Sequence, residues 1–191
     1  MTTIKATAER SLAGQLLIAV PGIDDTRFSK SVIYLFSHDA TEGARGLVIN
    51  KPAEKLFLRD ILTQMKITEC PINQPLLLGG PDKLTSGFIL HSADYRVPAT
   101  HPIDDGISLT ATQDILADIA AGKGPKSYLM ALGCSSWTRG QLEDELSGNV
   151  WLTAPATHEL LFQIPYEDRW QMALKNMGIE SYRLSALAGK A

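Results

Sequence analysis

The sequence contains little cysteine: among its 191 residues only Cys70 and Cys134 occur. They lie in unlike contexts and form no C-x-x-C motif, so neither a disulfide framework nor a cysteine-based zinc site is expected. Long apolar runs are also missing. The run 16–20 is too short for a signal-peptide core or a membrane span, and the opening residues are polar with charges of both signs. These absences predict a cytoplasmic protein with free thiols and no membrane partner.

An excess of positive charge is absent as well. Lys and Arg number 18 against 21 Asp and Glu, and the pI is about 5.8. Affinity for a phosphate backbone comes mostly from cationic side chains and counterion release, and no cluster of Lys and Arg stands out here. The charge balance therefore argues against non-specific nucleic-acid binding and against adhesion to anionic membranes.

The sequence does contain enough apolar material, 45% of its residues, to bury a core without metal or disulfide staples. Its length corresponds to one or at most two ordinary domains. Strand candidates are short apolar runs bounded by turn formers, and most are continuous rather than alternating, which is typical of strands covered on both faces. These runs occupy residues 15–20, 31–36, 46–50, 76–78, 87–91, 107–109, 128–132 and 150–152.

Helical periodicity interrupts the strand candidates. Apolar spacing predicts helices in 58–65 and 170–178, and capping-box spacing with a following glycine predicts helices in 110–122 and 138–148. The acidic residues 143–145 complement the dipole at the start of the last of these. No repeat or linker divides the chain. We therefore predict a single α+β domain with a strand-rich first part and a helical end packed against it.

Gly79-Gly80-Pro81 follows an apolar run and has two interpretations. Adjacent glycines bring backbone amides close to a ligand, but no Gly-x-Gly-x-x-Gly or Gly-Lys-Ser/Thr motif follows, and Pro81 lacks the donor that a phosphate cradle would use. A tight turn imposed by backbone geometry is the favoured interpretation.

Gly133-Cys134-Ser135-Ser136-Trp137 lies between a predicted strand and a predicted helix. That is where a nucleophile elbow presents Ser or Cys, and a helix N-terminus lowers a thiol pKa. However, the second glycine of G-x-S-x-G spacing is missing, and a histidine partner for Cys134 has to come from elsewhere in the fold. An ordinary strand-to-helix turn with Trp137 as a packing anchor is the favoured alternative.

Two His-x-x-Asp pairs, His91 with Asp94 and His101 with Asp104, fall in the polar stretch 91–105, which is predicted to be a long surface loop. Such residues bind metals, but a loop gives them no fixed helical or strand register. Ordinary loop polarity explains them, so we predict no metal ligand and no cofactor.

Taken together, these segments resemble the AlgH/YqgE family of bacterial proteins. The resemblance runs in order from Gly14 to Trp151, and Trp170 and Gly178 match the family's end region. The matching segments are 14–21, Phe28, 31–34, His38, 46–52, 79–81, 87–91, Trp137, 140–145 and Trp151.

The resemblance implies a fold and leaves the activity open. Family structures have a bifurcated sheet curled into a pseudo-barrel with packed helices, which implies one unit here. We accordingly expect a leader segment at 1–13, extended in conformation, one AlgH-like domain at 14–180, and a tail at 181–191. The family name comes from a proposed regulatory role in alginate production. It brings no settled reaction or cofactor.

Our first functional hypothesis is a non-enzymatic regulatory or protein-interaction role, because no catalytic constellation is present. Asn50, His91, Trp137 and Gln141 are the candidate binding residues, since a core does not require the polar ones. The expected partner is another protein.

Two alternatives remain open at this stage. One is a small-molecule hydrolase that uses the Cys134 turn or a pocket around His91. The other is sequence-specific DNA binding, raised by the regulator label. The acidic balance and the absence of a recognisable helix-turn-helix signature weigh against DNA.

Overall fold

The computed structural model of the protein describes residues 11–23, 25–68 and 71–179. Within them the chain forms ten strands, five α-helices and a 3₁₀ turn at Thr26–Phe28. The strands are β1 (Gln15–Ala19), β2 (Val32–Asp39), β3 (Gly43–Val48), β4 (Pro52–Phe57), β5 (Pro75–Leu78), β6 (Asp82–Ser92), β7 (His101–Pro102), β8 (Ile107–Thr110), β9 (Tyr128–Trp137) and β10 (Trp151–Pro155). The helices are α1 (Leu58–Gln64), α2 (Asp114–Ala120), α3 (Gln141–Ser147), α4 (His158–Phe162) and α5 (Arg169–Asn176).

The strands form one branched sheet in the order β10-β1-β2-β3-β9-β6-β8-β7, and neighbours along this path are antiparallel. The branch point is β9. Its residues 131–132 pair in parallel with β5, which in turn pairs with β4, whereas residues 135–137 pair with β3. Strand β6 pairs with residues 128–134 on the other edge of β9, with a register shift between Asp82 and Gly87. This change of partner along one strand is the bifurcation that the family resemblance implies.

The sheet curls into a half-barrel. The Tyr34 hydroxyl on β2 donates a hydrogen bond of 3.1 Å to Asp104 in the β7–β8 connection, which links distant parts of the curl. Burial, with the Asp104 charge adding to it, raises the pKa of the Tyr34 phenol, so the hydroxyl stays protonated as a donor. The expected fold class, a single α+β domain with a curled sheet, is confirmed.

Alternate residues of β1 belong to different cores, as a strand period of two requires. Leu16 and Ile18 face the main core inside the curl, and Leu17 and Ala19 face a second core beneath α3. A third core lies under α1 and α2. The continuous apolar run in the sequence is therefore explained by a strand covered on both faces.

The helical end is fixed to the sheet through α5. The Trp170 indole nitrogen donates to the Ala19 carbonyl at 2.8 Å. The buried Arg169 guanidinium donates to the carbonyls of Ile49 and Ile164. Burial lowers the pKa of Arg169 to about 10, and its contacts with backbone oxygens satisfy the charge that burial would otherwise leave unpaired.

Several predicted boundaries are wrong. Residues 133–137 are the end of β9, not a turn, because they continue the ladder with β3 and β6. The predicted capping box at Thr110 is absent: Thr110 ends β8, and α2 starts at Asp114. The stretch 91–105 contains β7, and β4 and α4 carried no recognised signal.

The Gly79-Gly80 pair serves a close backbone approach. A Cβ at Gly79 would lie 2.3 Å from the Gly133 carbonyl oxygen, and one at Gly80 would lie 2.3 Å from the backbone of Cys134. Glycine is therefore required where this turn crosses β9, which agrees with the structural interpretation rather than a phosphate cradle.

Most of the predicted leader 1–13 and all of the predicted tail 181–191 lie outside the described residues. Of the leader, Ser11 and Leu12 are hydrogen-bonded to His38: the Ser11 hydroxyl donates to its carbonyl and the Leu12 amide to its Nδ1, both at 2.9 Å. No helix among the described residues is long and apolar enough to cross a membrane.

Candidate functional site

A cleft of about 570 Å³, here called the aromatic cleft, lies where the end of β9 meets α3 and the start of β10. Helix α3 connects the two strands, and left-handed backbone at both of its ends makes the connection short: φ is 78° at Gly140 and 56° at Asn149. The cleft is lined by Val20, Gly22, Ile23, Asp25, Arg27, Phe28, Pro81, Asp82, Ser135, Ser136, Trp137, Gln141, Glu145, Gly148, Asn149, Val150 and Trp151.

One carboxylate organises the cleft. Glu145 Oε2 accepts hydrogen bonds from the indole nitrogens of Trp137 at 2.8 Å and Trp151 at 2.7 Å. Its Oε1 accepts from the Gln141 amide at 3.0 Å, because residues four apart share one face of α3. The side-chain oxygen Oε1 of Gln141 accepts in turn from the backbone amide and the hydroxyl of Thr138. We call Trp137, Gln141, Glu145 and Trp151 the Glu145 network.

Aromatic packing holds this network in place. The rings of Trp137 and Trp151 meet edge to face, with centroids 6.1 Å apart, and Phe28 packs on Trp151 in the same manner at 5.7 Å. The two indoles are only 5% and 3% exposed. Rings fixed in this way cannot swing away from the carboxylate, so the network is pre-organised.

The opposite face of α3 is held by His38. Its Nδ1 accepts from the Leu12 amide, so the ring proton lies on Nε2, which donates to Glu143 at 2.7 Å. This hydrogen bond lowers the pKa of the Glu143 carboxyl. The helix that carries Gln141 and Glu145 is therefore fixed from both sides.

The rim of the cleft is charged. Arg27 donates to both carboxylate oxygens of Asp25, with the shortest contact at 2.7 Å. This pairing lowers the pKa of Asp25 and raises the pKa of Arg27, to which the nearby Asp82 also contributes. Asp82 and Glu145 add two further negative charges to the lining.

The structure brings together Trp137 and Gln141 but places Asn50 and His91 elsewhere. The Asn50 side chain accepts from the Val32 amide and donates to the Lys30 carbonyl, both at 2.8 Å, which fixes the turn before β2. Its polar side chain thus has a structural use, and it does not line the cleft.

His91 is fully buried, so it forms no accessible pocket. Its Nδ1–H donates to the Ser92 carbonyl, and Nε2 accepts from the Thr110 hydroxyl, both at 2.9 Å. Thr110 is bonded in turn to Thr100, which accepts from the Val97 amide. Burial lowers the pKa of His91 and keeps the ring neutral.

Cys134 does not sit in an exposed turn. It is a buried residue of β9, and burial raises the pKa of its thiol, which disfavours the reactive thiolate. Its Sγ lies 3.8 Å from the Ser136 hydroxyl, and Ser135 donates to the Gly79 carbonyl. Across the described residues no histidine is hydrogen-bonded to these three side chains.

No metal site is formed either, as far as the described residues go: they contain no group of three His, Cys, Asp or Glu placed to hold an ion. His101 is exposed, and Asp104 accepts from the backbone amides of Gly106 and Ile107 and from Tyr34. These contacts explain Asp104 as a residue that shapes its own loop.

A second cleft, of about 760 Å³, lies between α1, α2 and β6. Its lining mixes polar side chains with apolar ones, including Ile61, Met65, Leu116 and Met130, and Lys83 is its single charged residue. None of the four predicted binding residues lines it.

Sequence reasoning missed Glu145, Trp151 and the rim residues Asp25 and Arg27. A usable signal existed for Glu145, which follows Gln141 at the spacing that places two side chains on one helical face. An acidic residue early in a helix is usually interpreted as complementing the helix dipole, and that interpretation does not predict the hydrogen bond between Gln141 and Glu145. No local pattern brings Asp25 to β9.

The fold is that of solved AlgH-type proteins. The structure resembles the solution structure of the AlgH protein from Pseudomonas aeruginosa with a TM-score of 0.76 and 36% sequence identity, covering 98% of each chain. A crystal structure of a protein from Corynebacterium diphtheriae shares the fold with a TM-score of 0.72 at 20% identity, covering 88% of this chain and 87% of that one. These likenesses define an α+β protein of the AlgH fold.

Sequence comparison gives the family. The model of the AlgH-like family, DUF179, matches residues 16–182. A UPF0301 protein of Methylobacterium nodulans is 46% identical over 190 residues, covering 94% of this chain and 90% of the relative. A UPF0301 protein of Rhodospirillum rubrum is 43% identical, and the match covers 100% of this chain and 100% of the relative. The chain belongs to the AlgH-like family, which confirms the resemblance seen in the sequence.

Proposed function

We propose that this AlgH-like chain is a non-enzymatic binding protein whose aromatic cleft receives a segment of another protein. The observation that carries the proposal is the Glu145 network. Its donors and acceptors are paired with one another over two buried indoles, so the exposed Gln141 and the half-buried Glu145 are held rigidly at the surface of the cleft. Side chains held in place by such contacts are suited to protein recognition.

The same chemistry does not favour the hydrolase alternative. A nucleophile needs an adjacent base, and the serines and the cysteine at the end of β9 contact backbone or one another instead. His91 uses both ring nitrogens inside the protein. Glu145, one of the three carboxylates that line the cleft, already accepts three hydrogen bonds from neutral donors.

The proposal also includes a regulatory role and a cytoplasmic location for the protein. In the regulatory role that we propose, binding changes what the partner protein does. The buried free thiol of Cys134 fits a reducing compartment, which supports a cytoplasmic location.

Site-specific photo-crosslinking tests the binding role. Ser136 is exposed and lines the cleft, so p-benzoylphenylalanine in its place should trap a partner on irradiation in a bacterial lysate. The matched control is the same probe in place of Glu54, an exposed residue of β4 that lines neither cleft. We expect a discrete product from position 136 alone. Equal products from both positions, or none from either, would contradict the proposal.

A second arm uses a variant of the network. Gln141→Ala removes an exposed side chain at the cleft without opening the core. Combined with the probe at position 136, it should reduce the yield of the trapped product. An unchanged yield in a folded variant would show that the Glu145 network takes no part in binding.

A further inference from the structure

The charges that line the aromatic cleft do not balance. Asp25, Asp82 and Glu145 contribute three negative charges, and Arg27 contributes the positive one. Arg27 is occupied by Asp25, which it contacts through both carboxylate oxygens. Among the described residues, neither Asp82 nor Glu145 has a cationic nitrogen within the 4.0 Å of an ion pair.

Three cations lie near the cleft without pairing with these two carboxylates. The Lys51 ammonium donates to the Arg27 carbonyl and acts on Asp25, and the charges of Arg45 and Lys83 act on Cys134 at the end of β9. None of the three lines the cleft or forms an ion pair with Asp82 or Glu145, so among the described residues these two carboxylates stay unpaired. The donors that contact Glu145 are two indoles and an amide, all neutral, so they orient the carboxylate without cancelling its charge.

From this we infer that the group entering the aromatic cleft is the cationic side chain of a lysine or arginine on the partner polypeptide; the inference rests on the proposed binding function. Such a side chain carries the charge that Asp82 and Glu145 lack. Its aliphatic stem also suits the partly exposed apolar side chains of Ile23, Phe28 and Val150 in the lining. An anionic group would meet the same two carboxylates at a cost.

The indole NMR signals of the three tryptophans of the chain report on binding at the cleft. The indole N–H groups of Trp137 and Trp151 both donate to Glu145, so a cation that approaches this carboxylate must shift their NMR signals. Trp170 donates to the Ala19 carbonyl in the main core and serves as the internal control.

The experiment titrates the ¹⁵N-labelled full chain with blocked tripeptides of the form Gly-X-Gly, where X is lysine, arginine, norleucine or glutamate. We expect saturable shifts of the two cleft indole signals with the lysine or arginine peptide, and a stationary Trp170 signal. Added salt should weaken the effect, because salt screens exposed charges. Equal shifts with the norleucine or glutamate peptide, or no shift with either cationic peptide, would overturn the inference.

Two variants test whether the carboxylate of Asp82 contributes to binding of the cationic peptide. Asp82→Asn keeps the shape of an exposed side chain and should weaken binding of the cationic peptide about threefold, the size expected for one exposed ion pair. Asp114→Asn makes the same change on α2, outside both clefts, and should leave binding unchanged. Equal effects of the two variants would show a general effect of net charge and contradict a local site.

A small amine offers the same chemistry as a lysine side chain, so spermidine is tested alongside the peptides. Weaker binding of spermidine supports a polypeptide source, whereas tighter binding would overturn it. The two proposals fail separately. A partner trapped at position 136 without a preference for cationic peptides would leave the binding role in place and remove the charge assignment.

Discussion

Two polar networks in this molecule are built from similar bonds but differ in where they end. The His91 network runs from the Val97 amide through Thr100 and Thr110 to the ring, and then to the Ser92 carbonyl. Both of its ends are backbone groups, and His91 is fully buried. The Glu145 network has the same saturated hydrogen bonding but forms the wall of an open cleft.

Hydrogen bonding alone does not separate a structural polar group from a recognition group. Saturated hydrogen bonds occur in both networks, so the presence of a histidine or a carboxylate decides nothing by itself. The two networks differ in access: Gln141 and Glu145 line an open cleft, whereas His91 is fully buried. We therefore expect changes in the first to affect both stability and binding, and changes in the second to affect stability alone.

The largest expected effect is that of Glu145→Ala. The variant leaves the indole N–H groups of Trp137 and Trp151 without their acceptor, and it should lower the free energy of unfolding by about 3 kcal/mol, because each buried unsatisfied donor costs about 1–3 kcal/mol. Urea denaturation measures this. The neighbouring Asp144→Ala, an exposed change on the same helix, is the control and should be close to neutral. Similar losses of unfolding free energy in both variants would mean that the hydrogen bonds from the two indoles to Glu145 do not stabilise the protein more than an exposed side chain does.

His91→Ala should come next, with a loss of about 2 kcal/mol from the missing hydrogen bonds and the space left behind. Unlike Glu145→Ala, it should leave the photo-crosslinking yield at position 136 unchanged in the folded protein. A folded His91→Ala variant that no longer crosslinks would break the comparison between the two networks.

Gln141→Ala should have a smaller effect on stability, about 1 kcal/mol, because it removes the hydrogen bond to Glu145 from an exposed position. We expect Gln141→Ala to affect the crosslinking yield at position 136 more than it affects stability. Measuring unfolding and crosslinking on the same preparation sharpens the comparison. A stability loss as large as that of Glu145→Ala would place Gln141 among the structural residues.

The smallest effect concerns pH. Burial lowers the pKa of His91 in the folded protein, so the unfolded chain binds this proton more tightly. Stability should therefore fall as pH drops below the ordinary histidine pKa of about 6.5, until the lower folded pKa is reached. His91→Gln lacks this component, so its unfolding free energy should depend less steeply on pH across that window. Identical slopes in the two proteins would contradict a neutral, buried ring.

Sequence reasoning predicted the α+β class and most of the strands because apolar runs of strand length are local signals. It failed at β9, where Gly133 and the two serines resemble a turn yet continue a strand. Their conformation is set by pairing with β3 and β6, which are distant in the sequence. The curl was available only through the family resemblance.

Of the four candidate binding residues, two line the aromatic cleft: Trp137 and Gln141, the latter chosen as a polar residue that a core does not require. Asn50 and His91 stood out for the same polar character, but burial and backbone contacts, which a sequence does not display, give them structural uses. Asp25 reaches the cleft through tertiary packing alone.

We propose that a partner binds at the Glu145 network, and the partner trapped at position 136 allows this to be tested. Once purified, that partner is added to the ¹⁵N-labelled wild-type chain and the three indole signals are followed. We expect the signals of Trp137 and Trp151 to shift and that of Trp170 to stay in place. Binding that leaves both cleft indoles unmoved, or that moves Trp170 equally, would contradict it.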